Sequence, residues 1–130
     1  MELGTTLDLL PTLCQLAKVT LPNDRTYDGF DISPVILGTG PSPREVVFYY
    51  RDTEVFAVRK GAYKAHFMTQ PEYGNDPKII QDPPLLFNLN VDPSEKYNIA
   101  QKHPEVIAEI RKILEAHTTA VVPVENQLEK

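Results

Sequence analysis

The sequence predicts an α+β fold, a four-stranded antiparallel sheet with a C-terminal helix packed on one face and a short helix at the N-terminus. Residues 46 to 69 are dense in β-branched and aromatic side chains and are broken by turn signals at Asp52-Thr53 and Lys60-Gly61, the pattern of a meander. Val106, Ile107, Ile110, Ile113 and Leu114 fall on one helical stripe, which needs a sheet face to cover. A chain of 130 residues that is 42% hydrophobic can bury a core as a single domain.

Leu10, Leu13, Leu16 and Ala17 recur at three and four residues, so 1–19 reads as a short amphipathic helix with its entry. The single cysteine, Cys14, lies on the flank of that stripe, with Lys18 the nearest cation at the far end. A reactive thiol wants a helix N-terminus or an adjacent cation, so Cys14 is expected to be buried and inert. Residues 20–45, rich in Pro, Gly, Asp and Asn, read as loop. One helical turn is expected within it, with Ser33 as cap, Pro34 at the first position and Gly38 closing the end.

Residues 46–121 form the sheet and the helix. Alternation in the third strand places Tyr63, Ala65 and Phe67 toward the core and Lys64, His66 and Met68 on the second face. Gln70 to Pro83 is expected to be a long irregular loop and Pro84 to Leu89 the fourth strand. In "NVDPSEKYNIA", Asp92, Pro93 and Glu95 have capping-box spacing, and Asn98 suits a left-handed terminating position. Pro104 opens the final helix with Glu105 in its first turn, and 122–130 reads as a tail.

Charge and motifs narrow the chemistry. With 13 basic against 18 acidic residues the net charge is -5, so there is no basic stripe for nucleic acid. No apolar run approaches the ~20 residues of a membrane span, and the N-terminus lacks the pattern of a signal peptide. GxGxxG, P-loop, HExxH, GxSxG and CxxC patterns are all missing. His66, His103 and His117 do not stand at metal-ligand spacing, and Asp24, Asp28 and Asp31 do not match an EF-hand loop. The residues alone therefore describe a domain with no catalytic residues and no metal site, in which a structural histidine is the simplest reading of His66.

The blocks "DLLPTL", "YDGFDISPVILG", "AVRKGAYKAHF" and "LFNLNVDPSEKYN", in this order, resemble the C-terminal domain of a sulfatase of the arylsulfatase A type, over residues 2 to roughly 118. The resemblance implies a small domain that follows a large alkaline-phosphatase-like α/β domain. In the family a cysteine or serine in a C/S-x-P-x-R motif becomes formylglycine and attacks sulfur beside a calcium ion. Cys14, in "LCQLAK", lacks that context, so the resemblance makes it no nucleophile and assigns formylglycine and calcium to the upstream domain. The implied partners are that catalytic domain, packed on 1–19, and through it a sulfate ester; an uncovered first helix would favour self-association. The loop after the third strand would reach the pocket mouth, making Gln70, Glu72 and Tyr73, with His66 leading into it, the substrate-rim candidates. Their identities differ from the histidine-bearing loop of the animal arylsulfatase A type, and the cysteine-rich animal tail is missing, which implies a bacterial, periplasmic or secreted parent. The alternative function is a free-standing, non-catalytic module that binds a partner or glycan.

Overall fold

A computed structural model describes residues 2–71 and 76–122. The chain forms two compact units, Met1–Val47 and Phe48–Lys130.

In the first unit a 3-10 turn, Thr6–Asp8, leads into α1 (Leu9–Ala17). α1 closes on Lys18 in the left-handed region (φ 57), with Val19 N–H donating to Cys14 O. Its inward side is polar. Thr12 is buried, its hydroxyl donating to Asp8 O at 2.6 Å and accepting from Ile32 N–H at 3.0 Å. Leu10, Leu13 and Leu16 remain 48%, 60% and 45% exposed. Cys14 is half-buried rather than buried, because the stripe it flanks has no cover within this unit. Gly29 lies so close to the N-terminal turn that a Cβ there would sit 2.0 Å from Leu7 O, and only glycine permits that approach. The expected turn is α2 (Ser33–Ile36), closed by Gly38 at φ 66. Its cap differs from expectation: Asp31 Oδ1, not the Ser33 hydroxyl, accepts the Ser33 N–H at 2.8 Å, because Ser33 already lies within the helix.

The sheet is β1 (Val46–Arg51), β2 (Glu54–Lys60), β3 (Tyr63–Thr69) and β4 (Ile79–Asn88), neighbours in that order. The expected turn signals hold, with Asp52 and Gly61 both at φ 53. Antiparallel register sets Val58 against Ala65 and Ala65 against Leu86, and these three are fully buried together with Ile110.

β4 begins at Ile79 rather than Pro84. Ile79 and Ile80 pair with Thr69 and Met68 across a register irregularity between His66 and Met68. Pro83 and Pro84 lie on an edge strand, where a missing N–H leaves no ladder bond unmade.

α3 (Pro104–Ala120) packs its stripe on the face carrying Tyr63, Ala65 and Phe67, as alternation requires: Ile107 and Ile110 are buried, and the Arg111 guanidinium lies 5.7 Å from the Phe67 ring. Near its C-terminal end His117 stacks on Phe48 at 3.7 Å and its Nε2 lies 2.6 Å from Tyr50 Oη, while His103 meets Glu105 and Tyr63.

The segment after β4 departs from a capping box. Asp92 is buried and does cap, accepting the Lys96 N–H at 3.1 Å and the Tyr97 N–H at 2.8 Å. Glu95, not Asn98, takes the left-handed conformation (φ 53), which turns its side chain onto the sheet instead of back toward Asp92. Asn98 instead bridges strands and turn, its Oδ1 accepting from Leu86 N–H and Ala100 N–H, each at 3.0 Å.

Candidate functional site

Period-two alternation puts Lys64 and His66 side by side on the sheet face away from α3, and the left-handed Glu95 delivers a carboxylate between them. Lys64 Nζ donates to Glu95 Oε1 at 2.7 Å and His66 Nε2 to Glu95 Oε2 at 2.6 Å. Their side chains are 16%, 20% and 25% exposed for Lys64, His66 and Glu95. Lys64 also caps the Tyr49 ring at 4.4 Å, and Phe87 meets the His66 ring edge-on at 5.7 Å.

Burial pushes the His66 imidazolium toward deprotonation, aided by the Lys64 charge and opposed by Glu95, so its pKa lies below the ordinary 6.5. Burial raises the Glu95 carboxyl, but the hydrogen bond and charge of Lys64, then those of His66, outweigh it and hold the group below 4.5. The working state is a neutral imidazole donating to a carboxylate that a lysine neutralises.

Of the sequence-selected rim residues, His66 lies in this triad. Gln70 is elsewhere: its amide Nε2 donates to Asp76 O at 2.7 Å. Arg51 donates to Pro71 O. Glu72 and Tyr73 lie outside the described residues. Sequence reasoning missed Glu95, which it assigned to a cap, and Lys64, which it left as a second-face residue. The adjacent Lys and His on one strand face were the available signal that a carboxylate was due.

A second charged centre lies in the first unit. Asp8 is fully buried; Arg44 donates to it through Nε at 2.8 Å and Nη2 at 2.5 Å, while Thr5 and Phe30 give backbone N–H bonds at 2.7 and 2.8 Å. Burial raises the carboxyl, but these donors, led by Arg44, bring it down to about 2. Arg44 continues to Asp28 O at 2.8 Å and lies over the Phe30 ring at 4.8 Å, so this pair fastens three stretches of chain. Among the described residues no group of three or more His, Cys, Asp or Glu side chains could hold a metal ion, and no helix is long and apolar enough to cross a membrane.

Comparison with known proteins places this framework. Residues 42–130 match the family model described as the C-terminal region of aryl-sulfatase. The chain is 47% identical to arylsulfatase A of Bos taurus over 83% of its length and 24% of the relative's. It is 43% identical to arylsulfatase A of Homo sapiens over 93% of its length and 28% of that protein's. An N-acetylgalactosamine-6-O-sulfatase of Bacteroides thetaiotaomicron is 32% identical over 87% of the chain and 23% of its own length, so mammalian and bacterial relatives both occur and give the expected bacterial origin no support. Among solved structures, the PsFucS1 sulfatase of Pseudoalteromonas sp. superposes with a TM-score of 0.69 at 29% identity, over 86% of this chain and 25% of that one. The chain spans about a quarter of the length of these relatives. With its sheet, its helix and its residues 42–130 all matching, this chain belongs to the sulfatase family, as a C-terminal region of the arylsulfatase type.

Proposed function

We propose that this chain is the C-terminal, non-catalytic portion of an arylsulfatase-like sulfuric ester hydrolase, supporting the catalytic domain and contributing to the rim of the substrate pocket. The observation that carries this reading is α1, a helix with a polar inward side and a row of exposed leucines outward. A face of that kind requires a partner, and the catalytic domain that precedes this region in the family is the natural one, with residues 1–19 as its contact. Formylglycine, calcium and the cations that grip sulfate would be supplied from that domain. Gln70, whose amide donates to Asp76 O, Glu72 and Tyr73 are the rim residues of this reading; His66 lies on the strand that precedes them.

The test is hydrolysis of p-nitrophenyl sulfate by the 130-residue chain and by the same chain joined to a sulfatase catalytic domain with a matured C-x-P-x-R cysteine. The chain alone should give no turnover at any calcium concentration and no rise in Tm with calcium, and the joined protein should turn over. Hydrolysis by the chain alone, surviving repurification and lost on mutation within it, overturns the reading.

A further inference from the structure

Asp28 stands apart from the other aspartates of the chain. It is the only Asp or Asn followed by glycine, and its carboxylate is exposed, with no hydrogen bond among the described residues. An Asp-Gly step is the one most open to attack of the next main-chain nitrogen on the side-chain carboxyl, because glycine puts no β-carbon in the way. In the fold that step is held from three sides. Arg44 Nη2 donates to Asp28 O at 2.8 Å, Gly29 is wedged against Leu7 O, and the Phe30 N–H donates to Asp8 Oδ1 at 2.8 Å. Asp8 and Arg44 are themselves joined, so one buried ion pair anchors the peptide planes on both sides of Gly29.

Closing a five-membered ring needs the Asp28–Gly29 plane to turn about the Asp28 Cα–C bond until the Gly29 nitrogen faces Asp28 Cγ. That turn pulls Asp28 O off Arg44 and Gly29 off its seat. Once they are freed, the Gly29 nitrogen bonds to Cγ of the protonated carboxyl, the Cγ–OH bond breaks, and the hydroxyl and the amide proton leave as water. Water then adds back to the succinimide. Addition at the former side-chain carbonyl restores aspartate. Addition at the main-chain carbonyl breaks its bond to nitrogen and gives isoaspartate, in which the chain runs through Cβ and Cγ. Water is released and taken up once each, and no other reactant is consumed.

We propose that Asp28 is a latent isomerisation site that the Asp8–Arg44 pair keeps shut, so that the first unit acquires a covalent record of having opened. In the product, the carbonyl that Arg44 grips has left the backbone as a free carboxylate, and the path to Gly29 is one carbon longer. The corner has no room for the change, since a single carbon added to Gly29 would already sit 2.0 Å from Leu7 O. Phe30 is carried off Asp8 by the longer path, and the buried carboxylate loses an N–H that completes its shell. A unit that isomerises while open therefore does not close again around the same pair.

The test is warm incubation of the full chain at neutral pH beside a synthetic peptide covering Pro22 to Ile36, with isoaspartate counted by chromatography and mass spectrometry of the tryptic peptide that starts at Thr26. The folded chain should isomerise slower than the free peptide by roughly tenfold or more, because reaction is limited to the open fraction. Asp8→Asn should speed it several-fold toward the peptide rate. Asp28→Glu, whose ring would be six-membered, should lose the product; a product that persists there belongs to Asp31 and overturns the assignment. After isolation, the isomerised chain should fail to recover the parent's α1 amide signals in NMR. A folded chain as fast as the peptide, an Asp8→Asn chain as slow as the parent, or an isomerised chain with the parent's α1 spectrum would each overturn the proposal. Should Asp8→Asn fail to fold, the parent in rising urea decides: isoaspartate must accumulate in step with the loss of α1 amide protection, and accumulation that ignores that loss refutes the clamp.

Discussion

Asp8 shows how much one side chain does in a unit that buries little apolar surface. Its carboxylate accepts from Arg44, Thr5 and Phe30, so Asp8→Asn keeps the shape but leaves the Arg44 guanidinium buried without its counter-ion. Removing one partner of such a pair costs about 3–5 kcal/mol; the expected outcome is melting of the first unit at lower urea, read from the α1 amides by NMR. The same pair sets an acid limit. Its folded pKa, about 2, is below the unfolded 3.8, so its stabilisation is complete above the unfolded value and is lost as pH falls toward about 2. Asp8→Asn should flatten the stability profile in that window. His66 and Glu95, both lowered, also lose stability as pH falls, but at higher pH. Gly29→Ala should be comparably disruptive, since its methyl would collide with the backbone of Leu7 rather than with a movable side chain.

Among elements, α3 and the Asp92 turn carry comparable weight through different physics. Ile110 is fully buried, so Ile110→Ala should cost about 2–5 kcal/mol through the cavity it leaves. Asp92→Ala removes the acceptor of two backbone N–H groups, worth about 1–3 kcal/mol because the orphaned donors are partly buried. Denaturant midpoints with unchanged m-values check both; a negligible effect of Ile110→Ala would place the buried face of α3 elsewhere. These elements differ in how legible they are. β1, β2, β3 and α3 follow from β-branched runs, turn residues and a helical stripe, all local signals. The first half of β4 is hidden by Pro83 and Pro84, whose local meaning is loop and whose place on an edge strand is decided by pairing with Met68 and Thr69. Glu95 is hidden in the same way. Capping-box spacing is a local pattern, whereas the partners that its left-handed residue meets, Lys64 and His66, lie about thirty residues earlier.

At the scale of the molecule, the apolar stripe of α1 was legible as a stripe, but not which way it faces. Period alone marks an amphipathic helix, and only the Thr12 and Asp8 bonds show that its polar side is the inward one. The consequence is an unpartnered surface of Leu10, Leu13 and Leu16, joined by Leu7 at 57%, Leu9 at 54% and Val19 at 60% exposure. Exposed apolar surface in water favours association at roughly 25 cal/mol per Å² buried. The 130-residue chain in isolation should therefore self-associate, with a weight-average mass that climbs through a concentration series in sedimentation equilibrium. Leu13→Lys separates this face from the fold: at an exposed position, it should change stability by no more than about 0.5 kcal/mol while returning the chain to a monomer. Joined to a sulfatase catalytic domain, the same substitution should act oppositely, leaving this unit's own α1 amides unperturbed but lowering the Tm of the whole, because a lysine would then be driven into a contact that leucines had filled. A joined protein indifferent to Leu13→Lys would mean that the α1 face is not where the two domains meet.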